Sequence, residues 1–221
     1  MRTRTCIDLD WRFEQRDIPE AHRADFDDAG WRVLDVPHDW SIEATPRAEN
    51  PAGSAGGFFP GGIGWYRRRI DIPSALGDRR VLLGFDGVYM NSEVWCNGHS
   101  CGRRPYGYSS FCYDLTPHVT AGEAACIAVR VDNSRQKNSR WYSGSGIYRH
   151  VWLTMAGPVR VAHWGTYVTT PEVSAHRALV ECAVSVVNQS GADADIEVSA
   201  MVTDPGRSTE HRTPNIEHRT P

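Results

Sequence analysis

The sequence predicts an all-β sandwich, and three observations carry that prediction. Apolar residues recur at every second position in several short segments, turn dipeptides separate those segments at fairly even spacing, and one stretch alone reads as helical. That stretch comes first, around Pro19 to Asp28. In Trp65 to Ile72, Tyr66, Arg68, Ile70 and Ile72 share one face, the pattern of a half-buried strand. Glu93 to Cys96 leads into Asn97-Gly98, the dipeptide favoured where a two-residue hairpin turn needs positive φ twice. Ile127, Val129 and Val131 mark the next strand, within Cys126 to Val131. Ile147, Val151, Leu153 and Met155 mark another, with Arg149 as a polar intruder that would need a carboxylate or carbonyl partner if buried. Asp86-Gly87, Pro105 to Gly107, Ala121-Gly122 and Ser143 to Gly146 supply the turns between them.

With 221 residues, the chain has room for about one and a half domains at roughly 150 residues each. Its texture changes near Gly157-Pro158, where residues 1–157 end as a first domain. His163 to Val173, Ala178 to Val187 and Asp195 to Val202 read as three further strands, joined by Asn188 to Gly191 and ended by Asp204-Pro-Gly206. An immunoglobulin-like sandwich needs about seven strands and about 100 residues, so residues 158–207 are expected to be a partial one. Glu-His-Arg-Thr-Pro then occurs twice, at 210–214 and 217–221; residues 208–221 are expected to be a disordered or artefactual tail.

Composition narrows the functional classes. Hydrophobic residues at 40% can fill a core, while 24 basic against 27 acidic residues leave a net charge of −3 and no basic stripe for nucleic acid. No segment approaches the roughly 20 apolar residues of a membrane helix, and the residues after Met1 lack the apolar run of a secretory signal, so a cytoplasmic location without a membrane partner is expected. Six cysteines, none in a Cys-x-x-Cys pair, are expected to be reduced thiols. Eight Trp and eight Tyr, several beside Gly and Pro, are the ring-rich loops from which ligand faces are often built.

Four segments carry chemistry or its imitation. Val36 to Trp40 joins a strand end to a loop, which Asp39 and Trp40 are expected to hold by hydrogen bonding and packing. The glycine-rich loop Glu49 to Gly64 ends in Phe58-Phe59 and leads into Trp65-Tyr66; lacking Lys-Ser/Thr and a following helix, it does not cradle phosphate. Asp132 and Asn133, at the end of an apolar strand and facing Trp141-Tyr142, combine directional polar groups with a flat apolar face, the mix a sugar site uses, although an ordinary Asp-Asn turn has the same residues. Ser143 to Arg149 reads as architectural, with glycines easing a tight entry into a strand. There is no Gly-x-Ser-x-Gly elbow and no His-Glu-x-x-His pair.

In this order and spacing the segments resemble the N-terminal part of glycoside hydrolase family 2, which groups β-galactosidases, β-glucuronidases and β-mannosidases. The resemblance runs over about 150 residues. It starts at Leu9-Asp-Trp-Arg-Phe13 and passes through Val36-Pro-His-Asp-Trp40, Pro60 to Arg68, Phe85-Asp-Gly-Val88 and Asn91 to Gly98. It closes with Tyr106-Gly-Tyr-Ser-Ser-Phe111 and Ser145 to Trp152. The Pro-His-Asp-Trp and Pro-Gly-Gly-Ile-Gly-Trp-Tyr-Arg blocks look most like the β-galactosidase branch.

That resemblance implies a jelly-roll sugar-binding domain, then an immunoglobulin-like domain, then a TIM barrel with two catalytic glutamates in a retaining exo-β-glycosidase. The family's acid/base glutamate follows an Asn; none of the seven Asn here is followed by Glu, so this chain is expected to contribute no catalytic residue and to be inactive alone. The implied role is to line and support the barrel's active site, with a β-galactoside-type carbohydrate as ligand. Asp132, thirteen residues before Ser145, matches an Asp that reaches toward the terminal sugar and a monovalent cation such as sodium beside it. Asn133 is next to it, and Asn50 matches an Asn on the upstream loop. No cofactor is expected for this portion by itself. The rivals are a stand-alone carbohydrate-binding module, a purely structural sandwich, and a parent of β-glucuronidase or β-mannosidase type.

Overall fold

The computed structural model describes residues 2–203 and divides into a unit ending at Gly157 and a second beginning at Pro158. Alternating apolar residues make the first unit a sandwich of two antiparallel sheets. Its strands are β1 (Thr3–Cys6), β2 (Trp11–Glu14), β3 (Arg32–Leu34), β4 (Gly62–Asp71), β5 (Arg80–Phe85), β6 (Ser92–Cys96), β7 (His99–Arg104), β8 (Phe111–Asp114), β9 (Ala124–Asn133) and β10 (Val151–Ala156). One sheet has the order β1-β10-β5-β8 and the other β3-β2-β4-β9-β6-β7. Val81, Leu83 and Phe85 of the first sheet pack with Tyr66, Ile127, Val129 and Val131 of the second in one buried cluster. Asn97 (φ 49°) and Gly98 (φ 82°) take the two positive-φ positions of the β6–β7 hairpin, as their dipeptide predicts.

The six-stranded sheet is buried on its other face too. Trp65 and Ala128 point away from the main core and pack with Ala21 and Trp31 of the segment that crosses over them. Between them lies Arg67, fully buried, whose Nε donates to Asp28 Oδ2 at 2.7 Å. Its other nitrogens donate to the carbonyls of Ala21, of Arg23 at 2.9 Å and of Phe26 at 3.4 Å. This guanidinium takes the place of a helix as the organiser of residues 19–28: only Pro19–His22 forms a short 3-10 turn where a helix to Asp28 is predicted.

Two further expectations need correction. The strand predicted from Ile147 starts at Val151, because Ser145 to Ile147 is committed to hydrogen bonds with His38 and Trp40; Arg149 is exposed and needs no buried partner. Beyond Pro158, β11 (Val159–Val173) and β12 (Ala178–Asn188) form a two-stranded antiparallel sheet, but residues 195–200 have no regular structure and Val202 only an isolated bridge. The alternation there meets no partner face among the described residues: Trp164, Tyr167 and Val173 are all at least 70% exposed. The expected tail, 208–221, lies outside the described residues.

His38 gives the first unit a pH dependence. Its Nδ1 lies 2.7 Å from the buried Tyr66 hydroxyl and its Nε2 3.1 Å from Glu43 Oε1. Burial pushes the imidazole below its ordinary 6.5, outweighing the upward pull of Glu43. As pH falls below about 6.5, the unfolded chain binds the proton before the folded one does, so stability present at neutral pH is lost toward the folded value. Urea midpoints at about pH 7 and about pH 5.5 should differ more for the wild type than for His38→Gln; equal differences would assign this acid sensitivity elsewhere.

Candidate functional site

The site grows from the end of β9. In register, Ile63 of β4 faces Asp132 and Gly62 faces Asn133. Asp132 N donates to Met90 O and Asn91 Nδ2 to Asp132 O, both at 3.0 Å, which pins the strand end. Pleating then sends these two adjacent side chains to opposite faces.

Asp132 turns outward into a cleft of about 280 Å³ lined by Met90, Asn91, Arg103, Arg135 and Asn138. That is just under the roughly 300 Å³ at which small-ligand sites begin, as expected of one wall of a site. Its Oδ1 accepts from Ser134 N at 3.0 Å and Ser134 Oγ at 2.6 Å, and Oδ2 lies 3.4 Å from Arg130 Nη1. Burial raises this carboxyl, but the Ser134 hydrogen bonds and Arg130 together hold it below the usual carboxylate range, so it is charged at neutral pH. Arg130 is itself fixed by a two-pronged pair with Asp17, at 2.9 Å twice. Arg103 and Arg135 have no ion-pair partner among the described residues.

Asn133 turns inward instead, and its amide is fully occupied. Nδ2 donates to Gly144 O at 2.9 Å and Ser145 Oγ at 2.7 Å, while Oδ1 accepts from Gln136 Nε2 at 3.0 Å and Asn138 Nδ2 at 2.6 Å. Only 3% exposed, it is a strut for the loop that follows β9. Asp39 holds the other end of the same knot, its Oδ1 accepting from Ser41 N at 3.0 Å and Ser145 N at 2.8 Å. Glycine is required at 146, where φ is 132° and a Cβ would sit 2.6 Å from the His38 carbonyl oxygen.

The aromatic rim is real but divided. Trp141 is 58% exposed and donates from Nε1 to the Tyr108 hydroxyl at 2.7 Å; Tyr108 meets Tyr89 and Tyr106 edge to face. Tyr142 points the other way, donating its hydroxyl to Asp39 Oδ2 and meeting Phe59 edge to face at 5.3 Å. With Asn133 it lines a separate, much smaller pocket of about 20 Å³, room for little more than a water molecule. Asn50 donates to Phe58 O at 2.7 Å within its own loop and lines neither cleft. The structure therefore brings Asp132, but not Asn133, Trp141, Tyr142 or Asn50, to the larger cleft.

A monovalent cation does not fit the residues this chain supplies. The one carboxylate in the cleft is already opposed by Arg130, and Arg103 and Arg135 add positive charge around it.

The sequence profile described as "Glycosyl hydrolases family 2, sugar binding domain" matches residues 7–157. The chain belongs to glycoside hydrolase family 2. It is 50% identical over 203 residues to "Beta-galactosidase BoGH2A" of Bacteroides ovatus, covering 92% of this chain and 24% of that protein. It is 40% identical over 179 residues to a "Putative beta-glucuronidase" of Formosa agariphila, covering 81% of this chain and 17% of that one. Among solved structures, a β-glycosidase from Bacteroides vulgatus superposes with a TM-score of 0.80 at 40% identity, covering 85% of this chain and 24% of that one. The family 2 chain thus spans between about a sixth and a quarter of the length of these relatives. Sequence reasoning missed Arg67, Arg103 and Arg130; an arginine in a period-two strand reads as a solvent-facing residue, and nothing local says otherwise.

Proposed function

We propose that this chain is the sugar-binding-domain portion of a retaining exo-β-glycosidase, most akin to β-galactosidases, and that it forms one wall of an active site whose acid and nucleophile belong to a barrel domain. The observation that carries the reading is Asp132: a charged carboxylate presented from a rigid strand end at the mouth of a cleft, in a chain 50% identical to a β-galactosidase along 92% of its length. Such a carboxylate accepts hydrogen bonds from sugar hydroxyls.

A single wall buries too little of a monosaccharide to bind it, since effective sites enclose about 70–90% of their ligand. Galactose or lactose titrated against the chain, read by tryptophan fluorescence, should therefore give no saturable change in the millimolar range, and a chromogenic β-galactoside should release no monosaccharide. Saturable binding without turnover would replace this reading with a stand-alone carbohydrate-binding module. A β-glucuronide as the parent's substrate is a second reading, favoured by the 40% identical relative and by Arg103 and Arg135 in the cleft.

A further inference from the structure

The pairing of β1 with β10 brings together three side chains that have no part in the cleft. Cys6 closes β1 opposite Trp152, Asp8 follows it, and His150 precedes β10. The backbones are locked to one another: Ile7 N donates to Val151 O at 2.9 Å, and Asp8 Oδ1 accepts from Val151 N at 2.8 Å. That leaves Asp8 Oδ2 facing His150 Nδ1 at 2.7 Å, with Cys6 hydrogen-bonded to the same carboxyl. One donor atom from each of Cys6, Asp8 and His150 lies within 4.8 Å of the others.

We infer that Cys6, Asp8 and His150 form a binding site for one divalent transition-metal ion of the zinc class. A tetrahedral ion with sulfur at about 2.3 Å and nitrogen and oxygen at about 2.0–2.1 Å holds such donors about 3.3 to 3.6 Å apart. Reaching that geometry requires the His150–Asp8 contact to open by about 0.6 Å from its present 2.7 Å. His150 is 53% exposed and free to make that movement, whereas Asp8 and the two strands stay fixed. The thiol excludes magnesium and calcium, which prefer oxygen alone, and the mixture of sulfur, imidazole and carboxylate suits zinc or cobalt. On entry the metal displaces the Cys6 thiol proton to the solvent, while the imidazole of His150 keeps its single N–H proton on Nε2, which frees Nδ1 to ligate. Three protein ligands and an open, solvent-facing side leave the fourth position to water.

Cobalt titrated into the reduced, metal-free 221-residue chain tests this directly. The expected result is a thiolate-to-cobalt charge-transfer band with tetrahedral d–d absorption, saturating at one equivalent and abolished by added zinc. Cys6→Ser should lose the charge-transfer band, His150→Gln should weaken cobalt binding at least about tenfold, and Cys182→Ser, at the other exposed cysteine, should change neither. Circular dichroism checks that each variant keeps its β signal. A wild-type chain without the band overturns the site whatever the variants do. So does a band that survives in Cys6→Ser, or one undiminished in a folded His150→Gln.

Discussion

Arg67→Ala is expected to lower the unfolding free energy of the first unit by about 3 kcal/mol or more, because removing one partner of a buried charge pair strands the other. The guanidinium is wholly buried and serves the Asp28 carboxylate and three main-chain carbonyls at once. Without it those carbonyls face a low-dielectric layer between the crossing segment and Trp65, and only Arg12, 3.4 Å away, still pairs with Asp28. Urea denaturation followed by tryptophan fluorescence measures the loss. Arg23→Ala is the matched control. Arg23 pairs with Asp25 at 2.8 Å, but the two side chains are 58% and 70% exposed, so water replaces the partner and the loss should be far smaller than for Arg67. If the two substitutions cost the same, Arg67 does not organise the 19–28 segment.

Asp132→Ala and Asn133→Ala are expected to fail in opposite ways despite being neighbours in sequence. Asn133→Ala removes four hydrogen bonds from a buried junction and leaves the Gly144 carbonyl short of a donor, with Ser145 Oγ keeping only its bond from Ser41 Oγ, a loss of about 2–3 kcal/mol. Amide exchange should speed up through the following loop, 134–143. Asp132→Ala gives up hydrogen bonds to an exposed serine and a partly exposed ion pair, so stability should move by less than about 1 kcal/mol. Placed in the intact parent enzyme, however, it should depress turnover of galactosides. Unchanged kinetics would take Asp132 out of the substrate wall, and a fully stable Asn133→Ala would take Asn133 out of the scaffold.

The contrast between these residues shows what a sequence exposes. Strands β4 and β9 were legible because their main-core face alternates cleanly, and the Asn97-Gly98 turn because its two φ values demand those residues. Asp39 and Trp40 were legible as holders of a loop, since short-range capping follows from residue type. The second core was not, because Arg67 and Trp65 alternate with Tyr66 as a solvent face would, and their cover comes from a segment about forty residues away. At the site, sequence placed Asp132 and Asn133 together, but pleating separates them; which one looks out depends on register with β4, a fact no local window contains. The third strand predicted beyond Pro158 failed for a related reason. Its apolar residues are spaced as in a sheet, yet a strand exists only where another offers it hydrogen bonds.

Fastening the first strand to the tenth also dictates an order of events during synthesis. Thr3 pairs with Met155, so the four-stranded sheet cannot be completed until almost the whole first unit has left the ribosome. At about 5–20 residues per second, the amino terminus waits roughly 8 to 30 s for its mate. Once made, and until β10 follows, β5 and β8 can pair only with each other, and the apolar side of β5 has no finished lid. A polypeptide stalled before Ala156 is therefore a sticky intermediate and a natural client for a chaperone.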